Sequence, residues 1–458
     1  MKPSIHHTLA GGLTAGLLIL LSSVPLRAAA LEDWWGGKYG TGNWLGARDT
    51  LEEHGVIFSA DWKGTYYGVV NGGIRQQGSF DEELHFRLKL DFEKLAGITG
   101  LSAYGAVRWR DGENPNYDVG ASAAFNPSNT QVGKQWRLMP LYAMWESRDL
   151  LPVKDMITLS GGWTNPYFFF IQQPESRLFV NNAIHQTKGL VNSGFPWSGA
   201  YNTWGGHLKV KPADWAYAQA GMYMAIPGAL STANHGLYFE GAQPENLNGL
   251  YVVGETGVTP KIGPSKLPGK YAMGGIFFGV ENKSYNGTKN DGRYCLYWQA
   301  DQMLFREPTP APEPAGKGPS DGKSVASGKS FKEPVSLAKP SEQGLYAFSF
   351  LSFAPKYNNA MPFYFHTGLV YKGLIPTRDK DQLGVAFAYG NYSYYKALAD
   401  EKAGRPQQCF EAVLECDYRV QVNQFAYVQP YLQYIIRPNG TGAVANATVL
   451  GVQMGVTF

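Results

Sequence analysis

Between positions 83 and 92 the chain alternates without a break. Leu84, Phe86, Leu88, Leu90 and Phe92 fall on one side, and Glu83, His85, Arg87, Lys89 and Asp91 on the other. A period of two sends successive side chains to opposite faces of a strand, so this strand divides an apolar medium from a polar one. The same period runs through the last stretch, 446–458. There Thr448, Leu450, Val452, Met454, Val456 and Phe458 alternate with Ala447, Val449, Gly451, Gln453, Gly455 and Thr457. Two architectures accommodate such strands. In a water-soluble sandwich the apolar face is the core and the charged face is solvated. In a barrel set in lipid the sense inverts, apolar face out and polar face in. Gly451 and Gly455 would then face the lumen and leave room there.

Repetition and connection length separate the two. Segments of strand character recur from Val56 onward, about sixteen in all, joined alternately by short and long connections. The stretches 94–100, 148–155 and 212–214 read as tight turns, whereas 111–137 and 164–200 are long and rich in Asn, Gly, Ser and Pro. An even strand number puts both ends of the wall on one side, with short turns there and long loops opposite. No segment carries about twenty consecutive apolar residues, so no helical span is expected. Aromatic residues make up 14% of the chain and 55 residues are Gly, which suits a wall with only one lipid-facing side per strand. The predicted fold is therefore all-β: a transmembrane antiparallel β-barrel of about sixteen strands.

The chain opens with Lys2, an apolar stretch at 13–24 and Ala28-Ala29-Ala30, the pattern of a cleaved export signal over 1–30. An uncleaved anchor fits less well, because the apolar run is short and is followed by Pro25. Removing Lys2 and Arg27 leaves 38 of the 40 basic residues against 37 acidic ones, a balance that argues against nucleic acid as a partner. Residues 31–55 read as an N-terminal periplasmic segment with a short helix at 46–54 closed by Gly55. The barrel is expected over 56–458. Within it, 305–343 is dense in Pro, Gly, Ser and Lys, a composition expected to be disordered in a periplasmic turn. It is either a tolerated insertion or a tether for periplasmic partners. Cys409 and Cys416 lie an odd number of residues apart, so on one strand they face opposite ways and are not expected to bridge.

The chain has no P-loop, G-x-G-x-x-G, G-x-S-x-G or C-x-x-C, and its histidines lack metal-ligand spacing. No catalytic residue, cofactor or metal is nominated, and the reading is a channel rather than an enzyme. What the polar faces do offer is charge. Arg87 and Lys89 on one strand, with Arg108 and Arg110 on the next, form one basic patch. Asp61 lies on the polar face of the first strand. Further on, Glu411, Glu415, Asp417, Arg419 and Gln421 share a face. If basic and acidic walls oppose each other, the field across the lumen favours solutes rich in hydroxyls, and Arg planes and aromatic faces suit sugar rings. The pore-constriction candidates are Arg87, Lys89, Arg108, Arg110, Asp61, Glu415 and Asp417. The alternative is that they are solvated wall charges without selectivity.

Several short stretches resemble one family when taken in order. They are Asn43-Trp44-Leu45-Gly46-Ala47-Arg48 with Gly55-Val56, then Leu90-Asp91-Phe92-Glu93-Lys94-Leu95, then Ala300-Asp301-Gln302-Met303. Gly368-Leu369-Val370-Tyr371-Lys372-Gly373-Leu374-Ile375-Pro376-Thr377-Arg378-Asp379 follows, then Gln429-Pro430-Tyr431-Leu432-Gln433-Tyr434-Ile435 and the last strand. Together they resemble the OprB family of carbohydrate-selective porins. The resemblance implies a sixteen-stranded channel in a Gram-negative outer membrane that passes monosaccharides, glucose above all, down a gradient. It also implies an eyelet of Arg, acidic and aromatic side chains built partly by an inward-folded loop, for which 111–137 and 164–200 are the candidates. The eyelet Arg carries over only to Arg108 or Arg110. Phe458 resembles the address read by the barrel-assembly machinery. The implied partners are thus monosaccharide solutes, outer-membrane lipid and lipopolysaccharide, that machinery, and, by analogy with large porins, further copies of the chain. The Pro-rich insertion departs from the family pattern. Two rivals stay open: a general porin without sugar preference, and a barrel-anchored enzyme or adhesin, which an occluded lumen with a close Ser–His pair would favour.

Overall fold

The computed structural model describes residues 34–130, 134–231, 233–238, 249–308 and 341–458. The expected signal peptide and most of the expected insertion lie outside them. Sixteen long strands form the wall. They are β1 (Val56–Gly73), β2 (Gly78–Asp91), β3 (Leu101–Gly112), β4 (Gln135–Glu146), β5 (Ile157–Thr164), β6 (Thr203–Ala213), β7 (Ala216–Met224) and β8 (Leu250–Val258). Then follow β9 (Leu267–Phe278), β10 (Arg293–Arg306), β11 (Gly344–Phe353), β12 (Phe363–Lys372), β13 (Gln382–Asn391), β14 (Phe410–Gln421), β15 (Ala426–Ile436) and β16 (Ala445–Thr457). Each pairs antiparallel with its sequence neighbours, and β1 pairs with β16 from Asp61↔Thr457 to Gly73↔Ala445, which closes the ring. Closure is what allows a sheet into hydrocarbon, because an edge would leave N–H and C=O groups unpaired there.

The faces divide as the alternation predicts. Tyr66, Leu88, Leu141, Met222, Met273, Leu296, Leu369, Leu414 and Leu450 point outward and exposed, while Thr65, Glu83, His207, Gln219, Glu255, Gln299, His366, Gln433 and Gln453 are buried inside. Three details differ from expectation. Phe92 is not the last residue of β2: the Asp91 carboxylate accepts the Glu93 N–H at 3.1 Å, capping a short helix (Phe92–Ala96) that takes Phe92 out of the strand. β10 continues to Arg306, in register with Gly344, so the first residues of the expected insertion belong to the wall. Finally, Gly451 and Gly455 do not leave room in the lumen. A Cβ on either would lie 2.2 Å from the ring of Tyr431 or Tyr427, so the tyrosines of β15 lie across these glycines and take the space. Cys295, Cys409 and Cys416 are all free thiols.

The N-terminal segment is fastened to the seam. Its helix α1 (Ala47–Glu53) ends before Gly55, whose φ of +92° favours glycine and whose Cβ would meet Asp91 O at 2.6 Å. On α1, Arg48 is only 2% exposed. Its Nη2 donates to Phe58 O at 2.9 Å and Phe458 O at 2.8 Å, and its guanidinium lies 3.3 Å from the Tyr39 ring centre. One side chain therefore ties the first strand to the last residue of the chain.

The turn between β12 and β13 has a second clamp. Asp381 accepts Arg378 Nε at 2.9 Å and Nη2 at 2.8 Å, Tyr418 Oη at 2.8 Å and Gln421 N at 2.9 Å. Burial pushes the Asp381 carboxyl upward, but these donors, Arg378 first, outweigh it and hold it below the ordinary 3.8. A depressed carboxyl stabilises the fold above its unfolded value, and that contribution is lost as pH falls through the folded one. Asp381→Asn should therefore cost about 1–3 kcal/mol of turn stability at neutral pH. The cost should vanish once the medium is acid enough to protonate Asp381 in the parent. Heat-modifiability gels run as a function of pH would measure both. An equal loss at all pH values would contradict the clamp.

Candidate functional site

The lumen is not an open tube. The long connection after β5, residues 165–202, folds inward and crosses it as a strap. Its apolar side chains Phe170, Phe179, Ile184, Leu190, Phe195 and Trp197 are buried, together with Val119 and Phe125 of the connection after β3. The described residues that pack here place parts of both inward loops nominated from the sequence inside the wall. Their apolar packing supplies cohesion, and the polar inner wall supplies position.

The strap is pinned strand by strand. Ile171 N donates to Glu255 Oε2 on β8 at 3.2 Å. Gln173 reaches Ala300 O on β10 and Ser349 O on β11, and faces His366 Nε2 on β12 at 2.9 Å. Glu175 pairs with Lys372 of β12 at 2.9 Å. On β14, Glu415 Oε1 accepts Val180 N at 2.8 Å and Asn181 N at 3.1 Å, and Gln433 of β15 donates to the same oxygen at 2.9 Å. Glu411 does likewise for the other loop, accepting Ser122 N at 3.0 Å. Consecutive N–H groups converging on one buried carboxyl oxygen fix the loop's position on the wall, because each would otherwise be buried without a partner.

These contacts change the meaning of two candidates. Glu415 and Asp417 were expected to line the constriction, yet both are 0% exposed. Glu415 is spent on the strap, and Asp417 accepts Gln429 Nε2 at 2.6 Å behind it. Nor do the basic and acidic strands oppose each other. β14 is separated from β2 only by β15, β16 and β1, a quarter of the ring. A transverse field between facing walls is not what this geometry provides.

The other candidates come together on the inner faces of β1 to β3. Glu83 is the hub. Lys63 Nζ lies 3.0 Å from its Oε1, and Arg110 approaches Oε2 through Nε and Nη2, each at 2.8 Å. Arg87 pairs with Asp61, and its Nη2 lies 3.0 Å from His85 Nδ1. Arg108 stands opposite His85 in register, and Lys89 opposite Tyr104. From the strap, Arg177 Nη1 donates to Tyr167 Oη at 2.5 Å with its guanidinium 5.2 Å from that ring centre. Lys188, also on the strap, is buried close to Arg110, Arg108 and Arg177. Burial and then those guanidinium groups hold its ammonium well below the ordinary lysine value. Its Nζ donates to Trp197 O at 3.0 Å.

Beside the charges runs a ladder of rings. Tyr104 and Tyr142 have centres 5.5 Å apart, Tyr142 and Phe169 5.5 Å, and Phe169 and His207 4.4 Å, stacked within 9°. Sequence reasoning missed Arg177, Tyr167 and Phe169, because nothing local says where a loop will land. It also missed the ion pair that Lys63 makes with Glu83, which emerges only from the pairing of β1 with β2.

A Ser–His pair is present too. Ser160 Oγ lies 3.5 Å from His207 Nδ1, and His207 Nε2 lies 3.1 Å from Gln219 Oε1. The Ser–His distance exceeds nucleophile–base range, the third group is a neutral amide, and Phe169 covers the imidazole face. The arrangement braces the wall beneath the strap.

The pinning makes a testable demand. Glu415→Gln removes the charge that holds Val180 and Asn181, a loss of about 1.5–3 kcal/mol. Single-channel conductance should rise and grow noisier in a barrel that still shows heat-modifiable folding. Unchanged conductance would mean that the apolar packing alone places the strap.

A family model described as carbohydrate-selective porin, OprB family, matches residues 75–458. Porin B of Pseudomonas aeruginosa is 26% identical, with 97% of each chain covered. Among solved structures, the high-pH structure of Pseudomonas putida OprB superposes with a TM-score of 0.78 at 21% identity, covering 92% of this chain and 99% of that one. The low-pH structure of the same protein gives 0.55 at 19% identity over the same shares. At these identities the structures speak for the fold.

Proposed function

Since the chain belongs to the OprB family of carbohydrate-selective porins, outer-membrane channels of Gram-negative bacteria, we propose that monosaccharides, glucose among them, cross it past the strap and the charged face of β1–β3. The observation that carries this reading is the adjacency of the ring ladder and the ion-pair cluster. A pyranose is apolar on its C–H face and polar at its rim. Tyr104, Tyr142 and Phe169 offer flat apolar surface to the first. The cluster of Lys63, Glu83 and Arg110, with Arg87 and Asp61, offers donors and acceptors side by side to the second.

Each hydroxyl can trade water for a side chain without a large change in energy, because the charges already satisfy one another. Binding is then weak and exchange fast, as flux requires. Passage is passive and no bond is made or broken, so the protein acts as a channel and not as an enzyme. The geometry of Ser160 and His207 supports that reading.

Arg108→Ala combined with Arg110→Ala should weaken glucose block of single-channel current about tenfold. It should also shift ion preference toward cations, because Glu83 then loses its guanidinium partner and keeps Lys63 and the His85 ring. If neither quantity moves, the cluster is wall decoration.

A further inference from the structure

Past the constriction, toward the turn end, lies a separate cavity of about 250 Å³. Lys209 and Lys211 reach it from the inward face of β6, two residues apart and therefore on one side of the strand. Lys270, Gln219, Tyr217, Phe169 and Gln172 line it as well. Lys209 Nζ stands 4.7 Å from the Tyr217 ring centre, and its charge is felt by Lys211 and Lys270.

Of the carboxylates nearby, Glu255 is fully bonded, whereas Asp301, which does not line the cavity, has no hydrogen-bond partner on either oxygen. Glu255, behind the cavity, already accepts Ile171 N, Tyr217 Oη, Gln219 Nε2, Tyr297 Oη and Gln299 Nε2. Asp301 sits opposite Lys270 in register with both oxygens buried, and Lys270 Nζ is engaged at 2.7 Å by Gln172 O. Asp214 lines the cavity only from the exposed turn. A solute in the cavity meets the ammonium groups of Lys209 and Lys211 on one face and that of Lys270 beside them, with the amide oxygen of half-buried Gln172 and two aromatic rings nearby.

The volume falls below the roughly 300 Å³ at which drug-sized pockets begin, so the occupant is small. Paired ammonium groups recognise an anion, and an amide beside aromatic surface recognises a hydroxylated ring. We propose that this cavity is a second binding site on the translocation path, specific for monosaccharides that carry one anionic group, either a carboxylate or a phosphate. It would hold such solutes after the constriction and release them into the periplasm. The proposal rests on the channel reading above, since it needs solutes in this lumen.

The test is block of single-channel current by glucose, glucuronate and glucose 6-phosphate in the parent and in a Lys209→Gln, Lys211→Gln double variant. Lys270 is left in place because it also holds the strap. In the parent, at least one of the two acidic sugars should bind about tenfold more tightly than glucose in dilute salt, and which of them does so identifies the anionic group. That advantage should shrink in about 1 M KCl, where the Debye length is near 3 Å. In the double variant the advantage should disappear while glucose block stays as in the parent, which also reports an intact fold. An equal affinity for all three sugars in the parent overturns the proposal. So does an advantage that survives in the double variant, since the constriction would then be its source. Absence of glucose block in the parent is a different outcome: it removes the channel reading itself.

Discussion

A strand in hydrocarbon has no water to satisfy its backbone, so every N–H on the wall must find a carbonyl on another strand. The pairing of β1 with β16 meets that demand, and the rest of the structure depends on it. Closure turns one face of every strand toward lipid and the other toward an enclosed space. The outward faces can then be apolar, and the inward ones can carry Glu83, Glu255, Glu415 and Gln433 at depths where lipid contact would be costly. Arg48 guards the joint by bonding to carbonyls of the first strand and of the last residue at once.

Within that space the protein builds something close to an ordinary core. Phe125, Phe179, Ile184 and Trp197 are as buried as they would be in a soluble domain. The difference lies in what holds that core in place. A soluble core is surrounded by the apolar faces of its own elements, whereas this one rests on a polar wall. Its position is set by directional bonds, such as those from Val180 and Asn181 to Glu415 and from Ile171 to Glu255. The apolar contacts give the strap compactness, and the carboxylates give it an address. Most of the carboxylate anchors lie on β8 to β15, whereas the ion pairs of Lys63, Arg87 and Arg110 gather on β1 to β3.

The wall was legible from the sequence because its rule is local. A period of two, read at positions 83–92 and 446–458, assigns each side chain to a face without knowledge of any partner. The pairing of neighbours around the ring, and the helix before Gly55, follow from equally short-range patterns. The interior was less legible because its rule is not local. That Glu415 faces inward can be read from its strand; that a loop more than two hundred residues earlier lands on it cannot. The same holds for Asp417, sealed behind the strap, and for Gly451, whose space is filled by a ring from the next strand. Arg87, Lys89, Arg108 and Arg110 were placed on the right face, but their balance was not. Arg87 and Arg110 are largely neutralised by Asp61 and Glu83, and the acidic strand sits a quarter turn away rather than across.

The pinning of the strap has a consequence for the order of assembly. Its contacts with β8, β10, β11, β12, β14 and β15 join positions far apart in the chain, and they exist only when those strands stand at their final places around the ring. The strap can therefore be seated only once β8 to β15 stand side by side. Without the seated strap the wall would enclose an unobstructed lumen. The wall presents that seat ready made: Tyr217, Gln219, Tyr297 and Gln299 fix Glu255 for Ile171 N, and Gln433 fixes Glu415 for Val180 N and Asn181 N.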